Sequence, residues 1–300
     1  MTTIQDLPSD TLQIIASFVV KPVYKLRSWL SIEQLHEYSL CKNENAIEWI
    51  EDNMKTMKNI KKIGWFELSQ NMNAIHLLEK NIHKVNWFVL SKNPNAIPIL
   101  EKNLEFVDWP MLSLNPNAMP LLEKHQERIC NAFLSKNPSA IPFLEKHPER
   151  IDWYWLSANP NAIHLLERYP ERINWRMLSL NPNAIHILEK HPERIDWNSL
   201  CENSSAAPIL EKNMEKINWF ILSRNPGAVS LIEKNLDRIN WNMFALNTNP
   251  AVVSIFEKHQ EQLKFCSVYL SGHPSIFELD VKATYKKIVE FAALVSVISI

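Results

Sequence analysis

Tryptophan recurs in this chain on a register of 22 residues. Trp65, Trp87, Trp109, Trp153, Trp175, Trp197, Trp219 and Trp241 all fall on it, and only Asn131 takes a slot without one. A period this short is too small for an independent fold, so the copies must stack and share one continuous core. Aligned on the tryptophan, the unit reads W-x-x-L-S-x-N-P-N-A-I-x-x-L-E-K-x-x-E-R-I-[DN], as from Trp153 to Asn174. A degenerate earlier copy runs from Tyr38 to Asn53. After Trp241 the register slips by two residues at Asn247-Thr248-Asn249-Pro250, and a last imperfect copy ends near Leu279.

Each position of the unit has a physical reading. Asp152 or Asn174, just before the tryptophan, is placed to cap a helix of under two turns, with the tryptophan and the leucine three residues later on one face. Asn159-Pro160 then punctuates: Asn is a preferred N-cap, and Pro suits the first helical position, where its missing N–H has no partner anyway. A second helix follows through Ala162, Ile163, Leu165, Leu166 and Glu167. The alanine recurs in every copy from Ala74 to Ala228, as expected where two backbones approach closely. A leucine-rich repeat has an overlapping period, but it requires strand-like alternation, whereas W-x-x-L-S and A-I-x-x-L-E have helical spacing. The expected fold is all-α: an α-solenoid of about ten short helix-turn-helix repeats with atypical capping helices at both ends, drawn out as a stiff rod with the tryptophan buried as a spacer between units. The boundaries are 1–37 for an N-terminal segment, 38–279 for the solenoid and 280–300 for a C-terminal capping helix.

Several functions are disfavoured by composition. The net charge is −1, from 32 basic and 33 acidic residues, so there is no global excess to draw the chain to nucleic acid or anionic lipid. Only three glycines occur, too few for phosphate-cradling loops. Cys41, Cys130, Cys201 and Cys266 form neither a disulfide framework nor a C-x-x-C site and point to a reducing compartment. The N-terminus has no secretory pattern, and the apolar stretch from Phe291 to Ile300 is shorter than a bilayer span. An intracellular chain without membrane, nucleic-acid or small-molecule partners is the expectation.

The recurrent polar residues read as scaffold. Glu79, Glu101, Glu123, Glu145, Glu167, Glu189, Glu211 and Glu233 are each followed by Lys or Arg, a mutually neutralising ladder and not a distinctive pair in one pocket. The histidines at His125, His147, His191 and His259, and those at His76, His164 and His186, lie 22 or more residues apart, without metal-ligand clustering. Cys201 and Cys41, at the serine position of the unit, read as small packing residues. No catalytic, cofactor or metal residue is assigned, and an enzyme is not expected. What varies is the pair after the tryptophan and the residue before the asparagine cap. Met111, Phe133, Tyr154, Trp155, Met177 and Phe220 either line a stripe suited to protein contact or, at the second of each pair, complete the core.

The run from Leu40 to Phe265, closest to its consensus at Leu156 to Glu167, resembles a repeat family abundant in proteins of large DNA viruses, and Tyr24 to Leu30 resembles the leading segment of those proteins. The resemblance implies a viral protein acting in the infected cell or built into the particle. Leu7-Pro8-Ser9-Asp10-x-Leu12-x-Ile14-Ile15-x-x-Phe18 is similar to an F-box, which implies docking to the linker subunit of a cullin ubiquitin ligase through Leu7, Pro8, Leu12, Ile15 and Phe18. The expected partners are accordingly that linker subunit and a target protein in the host cytoplasm, or capsid subunits in the virion.

Overall fold

The structure, a computed structural model, describes residues 20–56 and 63–298. It is an all-α solenoid of short helix-turn-helix units. Residues 153–174 show how one is made. Asp152 Oδ1 accepts the backbone N–H of Trp155 at 3.1 Å and caps a first helix, Trp153–Leu156. Asn86, Asp108, Asn174, Asp196, Asn218 and Asn240 cap their units in the same way. The unit that carries Asn131 in place of tryptophan has also lost this cap, since Cys130 makes no side-chain cap bond. A second helix, Ile163–Arg168, follows the Asn159-Pro160 turn, and a 3-10 turn, Pro170–Arg172, returns the chain to the next cap.

Isolated helices this short are unstable in water, so packing must hold them. Leu156 and Leu166, their counterparts in neighbouring units and the whole alanine column are fully buried. Each leucine removed from water contributes roughly 1.5–3 kcal/mol. The tryptophans are different, and here the expected buried spacer is corrected. Apart from Trp109, at 9% exposure, the repeat tryptophans are only half-buried, packed against the edge of the core. A basic side chain 19 residues on lies over several of them: Lys84 over Trp65, Arg128 over Trp109, Arg194 over Trp175 and Arg238 over Trp219, at 4.5–5.1 Å. A ring held between core and cation keeps one face toward solvent.

Polar ladders join the units. Asn159 Nδ2 donates to the carbonyls of Ser135 and Asn137 in the preceding unit, both at 2.9 Å, while its Oδ1 accepts the N–H of Asn161. Two residues on, Asn161 Nδ2 donates to Pro138 O at 3.0 Å. Ser157 Oγ donates to Trp153 O and accepts the N–H of Asn174, which begins the next unit. The serine position is thus a hydrogen-bonding one and not merely small. Cys201 keeps the role weakly, its Sγ accepting the N–H of Asn218 at 3.4 Å. Every asparagine from Asn43 to Asn247 in the main column makes its pair of backward bonds, at 2.7–3.3 Å.

The ladder has no free end. Asn43, in the first unit, donates to Ser271 O and His273 O of the last, at 3.3 and 2.7 Å. Asn45 Nδ2 donates to Pro274 O at 3.1 Å, and the His36 N–H to Ser271 Oγ at 2.7 Å. The same kinds of bond join the internal units, the paired asparagine bonds from Asn71 to Asn247 and the other two at most of the joints. His273 takes the asparagine place in the last unit, with Nε2 bonded to Asn247 O and Nδ1 accepting the Ser275 N–H. Eleven units among the described residues therefore form a closed ring, and the expected stiff rod is corrected. Two short strands, β1 (Tyr24–Leu26) and β2 (Phe277–Leu279), pair antiparallel across the seam, with Lys25 opposite Glu278. Arg27 reinforces the strap by donating to Ser275 O and pairing with Glu257 and Glu278. The expected C-terminal helix is present as Val281–Ile298. It covers no open end: Thr284 bonds the backbone of Val23, and Lys287 pairs with Glu48 at 2.9 Å.

Candidate protein-interaction surface

On the first helix of each unit, the tryptophan, the leucine and the serine face the core. The residue after the tryptophan and the residue before the ladder asparagine are four apart and share the opposite face. First helices of successive units pack side by side, across the seam as well as within the chain. Their outward positions therefore form one band running around the ring. At the seam, Lys42, Phe66, Gln70, Leu246, Val268 and Tyr269 from four consecutive units share a concavity of about 430 Å³, so the band is concave there.

The predicted contact residues divide according to this geometry. Tyr154 and Phe220 are exposed, at 42% and 55%. Met111, Phe133 and Trp155, each the second residue after its tryptophan position, are half-buried. The Phe133 and Trp155 rings meet edge to face, 6.3 Å apart, and Lys136 lies over Trp155. Met177 is buried. Leu7, Pro8, Leu12, Ile15 and Phe18 lie outside the described residues. The structure adds Phe66 and Phe88 to the band, half exposed and at the same unit position as Tyr154 and Phe220. That shared position was the signal in the sequence that would have found them.

Elsewhere several histidines and cysteines have structural surroundings. His164 meets Glu145 of the preceding unit at 2.8 Å, and His186 meets Glu167 at 3.0 Å. His76 hydrogen-bonds Glu51, which holds that carboxyl below its ordinary range. Burial pushes the thiols of Cys41, Cys201 and Cys266 up, away from the reactive thiolate. Among the described residues no group of His, Cys, Asp and Glu could hold a metal ion, and no helix is long and apolar enough to cross a membrane. Compared with known proteins, the chain matches no family, no curated protein and no solved structure.

Proposed function

We propose that this chain is a non-enzymatic protein–protein interaction scaffold of a large DNA virus, acting in the infected cell as a target-holding adaptor of a ubiquitin ligase. One observation carries the reading. Side chains that fix the framework repeat from unit to unit, whereas those on the exposed face of the first helices change from Phe88 to Tyr154 to Arg176 to Phe220. A constant scaffold bearing a variable face is how repeat proteins write specificity for a partner. The viral assignment rests on the resemblance of Leu40 to Phe265, and the ligase connection on the F-box-like residues from Leu7 to Phe18. Affinity purification of the full chain from the cytosol of infected cells, with quantitative mass spectrometry, tests the adaptor role. The ligase linker subunit is expected in near-equal amount with the wild type and absent when Leu7 and Pro8 are both replaced by Ala. Stoichiometric recovery of the chain in purified particles, with no linker subunit in the cytosolic fraction, would replace the adaptor by a structural component of the virion. A turnover abolished by one substitution that leaves the ring intact would contradict both.

A further inference from the structure

The exposed band is charged differently from the rest of the ring. Its outward positions carry five cations, Lys42, Lys92, Lys136, Arg176 and Arg224, against one carboxylate, Glu202, while Glu67 stands beside Phe66 in the seam concavity. Arg224 and Glu202 neutralise each other at 2.8 Å. Lys42, Lys92 and Arg176 are exposed and, among the described residues, pair with no carboxylate. The chain as a whole is net negative, so positive charge has been concentrated on this one face. Between the cations stand the exposed rings of Phe66, Phe88 and Tyr154.

We infer that this band is the docking face for an acidic, apolar-rich polypeptide segment, a reading that rests on the scaffold function proposed above and specifies its partner's chemistry. Free lysines and an arginine supply charge complementarity and steering, and the rings between them supply the apolar area that holds a bound segment. Single-stranded nucleic acid also combines cations with aromatic stacking. It is the less suitable occupant because Glu67 and the Glu202 pair interrupt the positive track, whereas a polyphosphate backbone requires uncompensated cations along its length. A peptide can place its carboxylates opposite the free cations and an apolar or basic residue opposite each glutamate.

The test is selection of a displayed random-peptide library on the immobilised full chain, followed by titration of the enriched peptides synthesised with a fluorophore. Enriched peptides should combine Asp or Glu with aromatic or aliphatic residues. Their affinity should fall roughly tenfold or more on the combined variant Lys42→Glu, Lys92→Glu, Arg176→Glu, and also with rising salt. The matched variant Lys124→Glu, Lys146→Glu, Lys190→Glu makes the same charge change on exposed second-helix ends and should bind as the wild type does. Melting curves of both variants confirm that the ring has folded. Should the band variant fail to fold, Phe88→Ala with Tyr154→Ala supplies the second comparison, again with an expected loss of affinity. No enrichment, enrichment without acidic residues, equal loss in the two charge variants, or displacement of the peptides by an oligouridylate that binds more tightly would each overturn the inference. None of these results bears on whether the chain co-purifies with the ligase linker subunit, so the adaptor reading stands or falls separately.

Discussion

Asn159 holds three backbone groups at once, two carbonyls of the preceding unit and one N–H of its own turn. A buried amide in that position is difficult to replace, because losing it strands acceptors away from water. Asn159→Ala is expected to cost about 2–4 kcal/mol in urea-induced unfolding, several times an average surface substitution. Asn159→Asp should cost more, since it sets a carboxylate against two carbonyl oxygens; a loss below about 1 kcal/mol for either would mean the ladder is not structural. His273 is the one titratable member of the same column. Its ring is buried and carries its proton on Nε2, facing Asn247 O, because Nδ1 must accept from Ser275. Burial lowers its pKa from the ordinary value of 6.5. The unfolded state therefore binds a proton that the folded state refuses: this contribution is complete above the ordinary pKa and is lost as pH falls below it toward the folded value. Charged groups nearby do not reverse this: Lys42 and Glu67 share its concavity, and Arg27 donates to Ser275 O. Urea midpoints measured from pH 8 down to pH 5 should fall more steeply for the wild type than for His273→Asn, which keeps the rung without the titration; parallel curves would sink this account.

The two helices of a unit were largely legible in the sequence, and what they do with their side chains was less so. Caps, the Asn-Pro turn and the alanine column stand where helical spacing puts them, since each obeys a local rule of backbone geometry. Tryptophan misled because periodic recurrence signals a constant environment, not a buried one. A ring packed on the core and covered by Arg194 or Arg238 recurs just as faithfully. The energetic consequence can be measured within one helix. Leu156→Ala should cost on the order of 2–5 kcal/mol as a fully buried large-to-small change, and Trp153→Ala clearly less, although indole is the larger group. The opposite order in thermal or urea unfolding would restore the tryptophan as the spacer. Cys41 and Cys201, at the serine position, read as packing residues because a small residue at a helix end suits either role. Only the distance from Ser157 Oγ to the next unit's N–H decides between them.

Closure of the ring could not be read from any one unit, because it depends on a small rotation accumulated over all of them. The sequence nevertheless carried a hint in Asn43. In an open solenoid the first ladder asparagine has no preceding carbonyls to bond, and a buried amide without partners is costly. Asn43 is fully buried, and its partners come from the last unit. A closed ring has no terminal unit to fray, so the seam must be as sound as the internal joints, and β1, β2 and Arg27 brace it. The exposed band gains from this arrangement, since its positions are held in one curve and not on a flexing rod. Paired spin labels on non-natural side chains at Glu37 and Tyr269, which leave the native cysteines untouched, test the closure directly. The helices that carry them pack against each other across the seam, so the labels should lie within roughly 10–20 Å and broaden each other's spectra. Eleven units stacked in an open line would set them roughly 80–100 Å apart, and spectra free of dipolar broadening in the folded protein would contradict the ring.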